Sequence, residues 1–225
     1  MADHPKESKL PIGVLLSGSG TNLQAITDAI ERGELDAEIR VVISNRAGVQ
    51  GLERARRHGL RALVINHRDF ASREDFDREV LARLREYGVE LVVLAGFMRM
   101  LSRVMLEAYP NRIMNIHPAL SPMFPGVHGQ RDAVDYGVRI SGCTVFFVTE
   151  GMDTGPVIIQ AAVPVLDDDD EERLAARILA EEHRIYPEAI RLYQQGRLEV
   201  VGRKVRIKDF RSANTGAIVN PRPQR

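Results

Sequence analysis

The sequence predicts an α/β fold of the Rossmann-like kind: a mostly parallel, twisted sheet with helices on both faces and a C-terminal hairpin. Three observations predict it. Apolar runs such as residues 12–16, and 91–94 within the strand expected at 89–94, are continuous rather than alternating, the pattern of strands buried on both faces. They alternate with stretches whose apolar residues recur at helical spacing. Near the end, residues 197–201 and 204–207 meet around Gly202 as the two arms of a hairpin do.

The elements follow in order. Residues 12–16 form the first strand and run into the turn Ser17-Gly18-Ser19-Gly20. Residues 21–32 carry Leu23, Ile26 and Ile30 on one helical face, with Gly33 as the stop. Residues 39–44 are the second strand, 52–58 a short helix closed by Gly59, and 62–65 the third strand. Ser72 can accept a hydrogen bond from the backbone of Asp75, and Asp75 can reach back, which is a capping box. Phe76, Val80, Leu84 and Tyr87 are the buried stripe of that helix and Gly88 ends it. Residues 89–94 and 112–116 are the fourth and fifth strands, and residues 145–148 and 157–163 are two more. The acidic run 167–170 precedes a long helix bearing Leu174, Ile178, Leu179 and Ile185, where the helix dipole favours negative charge. A calcium loop is the poorer reading of that run, because its Gly and Glu are missing. Pro187 is expected to kink or break the helix. Residues 1–9 read as a flexible tail rather than a signal peptide, residues 10–210 as one domain, and residues 211–225 as a frayed tail.

Composition narrows the function. The chain has 225 residues, with 31 Lys and Arg against 31 Asp and Glu, so no chain-wide field draws it to nucleic acid or a membrane surface. No run approaches the ~20 apolar residues of a membrane helix. A single cysteine, Cys143, allows no internal disulfide, which suits a reducing compartment and leads to the expectation of a cytoplasmic protein.

In a parallel sheet ligands bind beyond the carboxyl ends of the strands, and the informative motifs fall there. Gly18-Ser19-Gly20-Thr21-Asn22 lies between a strand and a helix start, where backbone N–H groups and the helix dipole fit a phosphate; a plain tight turn is the other reading. It is no Walker A loop, and Leu23 stands at the third glycine position of a dinucleotide fingerprint. Asn115 and His117, two apart in a strand, point to the same side. A carboxamide and an imidazolium there would both donate to the oxyanion of a tetrahedral intermediate, unless both merely satisfy a loop. Asp153, before Thr154-Gly155-Pro156, can orient a histidine and favour its charged form, or be an ordinary turn aspartate. His4, His58, His67, His128 and His183 show no metal-binding spacing, so no metal is expected. Ser17 and Cys143 lack a nucleophile signature, and Arg54, Arg56 and Arg57 read as a solvated helix face.

Together these stretches resemble the folate-dependent phosphoribosylglycinamide formyltransferases of purine synthesis. The resemblance is carried by the run from Leu16 to Ile26, by Ser44-Asn45-Arg46-Ala47, Gly51-Leu52-Glu53-Arg54-Ala55 and Leu94-Ala95-Gly96-Phe97-Met98-Arg99. It continues in Asn115-Ile116-His117-Pro118-Ala119-Leu120, Phe124-Pro125-Gly126, Met152-Asp153-Thr154-Gly155-Pro156-Val157-Ile158 and Glu182-His183-Arg184-Ile185-Tyr186-Pro187. It implies the formyltransferase fold over residues 10–210, with residues 10–110 as the phosphate-binding half and 111–210 as the folate-binding and catalytic half. It implies transfer of a formyl group from 10-formyltetrahydrofolate, a co-substrate, to the amine of 5-phosphoribosylglycinamide. Asn115, His117 and Asp153 would be catalytic. Gly20, Thr21 and Asn22 would hold the substrate phosphate, and Gly96 and Glu182 would lie near the glycinamide. Arg73, Met98, Arg99, Met100, Leu101 and Asn115 would bind the folate, with Thr149, Glu150, Gly151 and Met152 closing over its ring. The partners implied are these small molecules, with no nucleic acid and no membrane, for a monomer or homodimer. Two departures stand out: Met123 where many members carry Lys, and Phe146 where some carry His. Formyltetrahydrofolate hydrolases and transfer RNA formyltransferases share the chemistry. Each is expected to carry a further domain, and the second also needs a basic RNA-binding surface. A silent nucleotide-binding module is the reading of another class.

Overall fold

The computed structural model describes residues 9–210, together with Ile218 and Asn220. The rest of the tails expected at 1–9 and 211–225 lies outside the described residues. Nine strands form one sheet: β1 (Leu10–Leu16), β2 (Ala37–Ser44), β3 (Ala62–Val64), β4 (Leu91–Leu94), β5 (Ile113–His117), β6 (Ile140–Phe147), β7 (Val157–Pro164), β8 (Leu198–Val201) and β9 (Lys204–Ile207). Their spatial order is β3-β2-β1-β4-β5-β6-β7-β9-β8. The first five are mutually parallel. β6 runs antiparallel to both its neighbours, and β8 and β9 form the expected hairpin. The chain winds outward from β1 through β3 and then returns to the other side of β1 as β4. A crevice therefore opens at the carboxyl ends of β1 and β4, the switch point of the fold.

Each face of the sheet is covered. On one side, α1 (Thr21–Glu31) and α6 (Glu171–Gln194) bring Leu23, Ile26, Ile178, Tyr186 and Ile190 against Ile12, Val14 and Leu16. On the other, α3 (Arg73–Glu86) and α4 (Arg103–Ala108) pack Phe76, Val80, Leu84 and Met105 against Leu15, Val41 and Ile43. Alternate residues of β1 thus face opposite layers, which is why the run is apolar throughout. Ser72 caps α3 as expected: its hydroxyl accepts from Asp75 N at 3.0 Å and donates to the Asp75 carboxylate at 2.7 Å.

The structure corrects one expectation. Pro187 lies inside an unbroken 24-residue helix rather than ending it. Proline removes its own N–H from the ladder and its ring crowds the carbonyl of His183 one turn before. Burial of Tyr186, Pro187, Ala189 and Ile190 offsets that loss. The Tyr186 hydroxyl is 3.0 Å from the carbonyl oxygens of both Leu94 and Met114, donating between them and fastening α6 to two central strands. Two helices carry too little periodicity to be read from sequence: α4, and α5 (Gly129–Tyr136), whose buried residues are only Gly129 and Ala133.

The acidic run does cap α6. Asp170 accepts from Arg173 N at 2.8 Å, while Asp169 accepts from Leu166 N and takes both Arg177 nitrogens at 2.6 and 2.9 Å. The Arg177 bond holds the Asp169 carboxyl at about 2. A carboxyl depressed by folding stabilises the fold above its unfolded value and loses that contribution as pH falls through its folded one. The stability gap between the parent and Asp169→Asn is therefore expected to be full near neutrality and to close as pH falls from about 4 to about 2. Thermal melts of the pair across that range check it, and a gap independent of pH would contradict it.

Candidate active site

A cavity of about 500 Å³ lies beyond the ends of β4 and β5. Asn115 and His117 reach it from β5, and Asp153 reaches it from the turn between β6 and β7. His117 is 4% exposed and Asn115 is half-buried. All the residues assigned to folate line the same cavity: Arg73 from the start of α3, Met98, Arg99, Met100 and Leu101 from the segment after β4, and Thr149, Glu150, Gly151 and Met152 from the loop after β6. Gly96 lines it as well.

The histidine is held at one ring nitrogen and faces a carboxylate with the other. Its Nε2 is 2.8 Å from the carbonyl oxygen of Phe124, and its Nδ1 is 3.6 Å from Asp153 Oδ2. A carbonyl only accepts, so Nε2 carries a proton in every charge state of the ring. Nδ1 is then the position that gains or releases a proton, and it faces the carboxylate. Both residues that shape this contact have left-handed backbones, Phe124 at φ 48° and Asp153 at φ 53°. Gly126 N donates to Asp153 Oδ2 at 3.1 Å, so the loop that offers the Phe124 carbonyl also steadies the acid. Strained backbone of this kind collects where geometry matters for function.

The glycine loop is built by close approach. Gly20 caps α1 in the left-handed region at φ 71°, and no side chain caps the helix. The first N–H groups of α1 are thus left for a ligand. A Cβ on Gly20 would sit 2.5 Å from the Cα of Gly51, and Gly51 N donates to Gly18 O at 3.0 Å. Two glycines therefore let α2 (Gln50–Arg57) press against the loop. The structure corrects the reading of Arg54. It is not part of a solvated face with Arg56 and Arg57: its Nε donates to Ser19 O at 3.0 Å and its guanidinium reaches Gln24 Oε1 at 3.3 Å. The spacing of Arg54 between the buried Leu52 and Ala55 was the available signal.

Behind the loop, Asn22 Nδ2 donates to Glu182 Oε2 at 2.8 Å, both residues being buried. Burial pushes the Glu182 carboxyl up, and the Asn22 bond pulls it partly back. The Asn22 Oδ1 atom is buried with no partner among the described residues, an acceptor suited to a ligand donor. The two departures fall in different places. Phe146 is buried in the cavity wall, whereas Met123 is exposed and does not line it. Cys143 is buried in β6, and burial pushes its thiol up to about 12, which keeps it from acting as a nucleophile. Among the described residues, no group of three or more His, Cys, Asp or Glu could hold a metal ion.

A Rossmann-like sheet with an amide, an imidazole and a carboxylate converging on a cavity beyond β4 and β5, beside its switch point, fits the class of α/β group-transfer enzymes. Within that class the chain belongs to the formyl transferase family, whose model matches residues 11–190, and to its phosphoribosylglycinamide formyltransferase branch. It is 45% identical over 189 residues to the phosphoribosylglycinamide formyltransferase of Escherichia coli K12, covering 84% of this chain and 89% of that one. The solved glycinamide ribonucleotide transformylase 1 of Symbiobacterium toebii is 57% identical with a TM-score of 0.88, over 90% of this chain and 95% of that chain. The phosphoribosylglycinamide formyltransferase of Coxiella burnetii is 42% identical with a TM-score of 0.84, over 88% and 93%. The trifunctional purine biosynthetic protein adenosine-3 of Drosophila melanogaster is 48% identical over 82% of this chain, but the chain spans only 14% of that protein.

Proposed function

We propose that the chain transfers the formyl group of 10-formyltetrahydrofolate to the glycinamide amine of 5-phosphoribosylglycinamide in de novo purine biosynthesis. The observation that carries this reading is the meeting of Asn115, His117 and Asp153 on one cavity, two of whose lining residues, Gly96 and Met98, bond Ser17 at the head of the Gly20 loop. Gly20, Thr21 and Asn22 hold the phosphate, and Gly96 and Glu182 lie along the glycinamide. The folate lies against Met98 to Leu101 with Arg73 near its charged tail, and Thr149 to Met152 close over its ring.

The amine attacks the formyl carbon, forming the new C–N bond and a tetrahedral oxyanion. Asn115 and the protonated Nδ1 of His117 donate to that oxygen. The C–N bond to the folate nitrogen then breaks, and this nitrogen leaves with the proton of His117. The proton lost by the attacking amine passes through water to Asp153, which returns it to the ring. No step calls for a metal. No helix among the described residues is long and apolar enough to cross a membrane, and the enzyme acts on small molecules in the cytoplasm as a monomer or homodimer.

The test is formyl transfer from 10-formyltetrahydrofolate to 5-phosphoribosylglycinamide, followed by absorbance, beside a reaction without acceptor. Acceptor-dependent turnover is expected. Equal turnover without acceptor would make the chain a formyltetrahydrofolate hydrolase. Folded, folate-binding protein with no turnover would remove the acceptor from the reading.

A further inference from the structure

We infer that Asp77, which does not line the cavity, is a positioning residue that sets the wall against which the formyl donor binds. The inference rests on the proposed function in one respect, that the donor occupies this cavity. The wall is the segment of residues 98–101, and among the described residues no backbone–backbone hydrogen bond anchors it. Side chains from two other elements hold its ends instead. At one end Ser17 Oγ accepts from Met98 N at 2.9 Å and donates to Asn45 Oδ1 at 2.6 Å. At the other, Asp77 Oδ2 accepts from Ser102 N at 2.5 Å. Ser17, Asn45 and Asp77 are all buried, Asp77 to 1% exposure.

A carboxylate there costs more than a neutral acceptor would, since burial pushes the Asp77 carboxyl up. Its surroundings show what the charge does. Arg73 and Arg99 both act on it electrostatically, and both line the cavity. Arg73 stands one helical turn before Asp77 on α3. The Arg99 guanidinium lies 5.2 Å from the centroid of the Phe76 ring, with its Nε buried and unpartnered among the described residues. Asp77 thus bonds the end of the segment from the helix that presents Arg73, with the cation that follows Met98 also acting on its charge. All three belong to the donor side of the site. Glu182 and the residues Gly20 to Asn22 share none of these bonds; Ser17 heads the turn that leads to them and also bonds Gly96 O, so the Asp77 end of the clamp is the one separate from the acceptor side.

The experiment compares Asp77→Ala, Asp77→Asn and Ser17→Ala with the parent chain. The Kd of a non-reactive 10-formylfolate analogue is measured by calorimetry without acceptor, and KM is measured for each substrate. Asp77→Ala is expected to raise the analogue Kd and donor KM by about tenfold, leaving acceptor KM and kcat at saturating donor within about twofold. Asp77→Asn keeps an oxygen for Ser102 N and loses the charge, so its Kd should rise by only about threefold. Ser17→Ala should also raise the analogue Kd, from the other end of the segment, while the donor-specific KM pattern is read from the Asp77 variants alone. Circular dichroism identifies folded variants, and Asp77→Asn and Ser17→Ala carry the test if Asp77→Ala does not fold. An unchanged analogue Kd in folded variants, or equal rises in both KM values, would overturn the clamp. If the parent chain itself fails to bind the analogue, the functional reading falls, and the clamp with it.

Discussion

Asn115→Ala and His117→Ala are each expected to lose at least about a hundredfold in kcat, because an oxyanion donor removed from a preorganised site costs about 3 kcal/mol of transition-state stabilisation. The two losses should differ in kind. Asn115 is half-buried on the cavity wall, so its removal subtracts a hydrogen-bond donor and part of that wall. His117 is nearly enclosed and also holds the Phe124 carbonyl through Nε2. Its removal takes away an oxyanion donor, the proton for the leaving nitrogen and an anchor of the loop that steadies Asp153. The larger loss should therefore belong to His117→Ala. Acceptor binding should survive in both variants, because neither side chain belongs to the Gly20 loop, while Asn115→Ala should also weaken binding of the formyl donor, whose cavity Asn115 lines. Measurement of kcat with both substrates saturating, with thermal melts as the control for folding, decides the matter. A near-normal rate in either folded variant would remove that residue from the mechanism.

Much of this site was legible because its chemistry is local. Asn115 and His117 are two apart, and a strand puts such residues on one side whatever the rest of the fold does. The glycine loop was legible for a similar reason: a strand, a turn and a helix start follow one another without interruption. Strands β1 and β4 could be read from their unbroken apolar runs, since both sit centrally in the sheet. The hidden parts are those that depend on the order of strands in space. Ser17 meets Asn45 because β2 lies beside β1, and Asp77 meets Ser102 because α3 and α4 pack side by side on one face. No spacing rule connects residues 28 or 25 apart in the chain. The Phe124 carbonyl was invisible for another reason, that a backbone atom in a loop leaves no mark on residue type. Arg54 was misread because an arginine on a short helix usually faces water, and only the glycine pair beneath it brings the loop within reach. Pro187 misled in the opposite direction, since a local rule was overruled by burial along α6.

Gly20→Ala should separate the two halves of the site. The φ of 71° is strained for any residue with a Cβ, at a cost of about 1 kcal/mol or more. Strain alone is mild; the neighbour is what makes this position different. The added carbon would sit 2.5 Å from the Gly51 Cα, a backbone atom that cannot swing aside as a side chain does. Either α2 retreats or the loop between β1 and α1 moves. Both outcomes displace the N–H groups proposed to hold the substrate phosphate, and the second also shifts the Ser19 carbonyl that Arg54 grips. The expected result is a rise in acceptor KM of about a hundredfold, as loss of several charge-assisted hydrogen bonds implies. The donor side is tied at its far end to Asp77 rather than to this loop, so its affinity for a folate analogue should fall by less than about tenfold, well short of the change in acceptor KM. Gly33→Ala supplies the control. Gly33 has φ 73° but open space around its Cβ position, so that variant carries the strain without the collision. It should lose stability and keep both KM values. If a folded Gly20→Ala protein binds the acceptor normally, the phosphate does not sit on this loop. If both variants raise acceptor KM equally, backbone strain rather than the meeting of Gly20 and Gly51 governs the site.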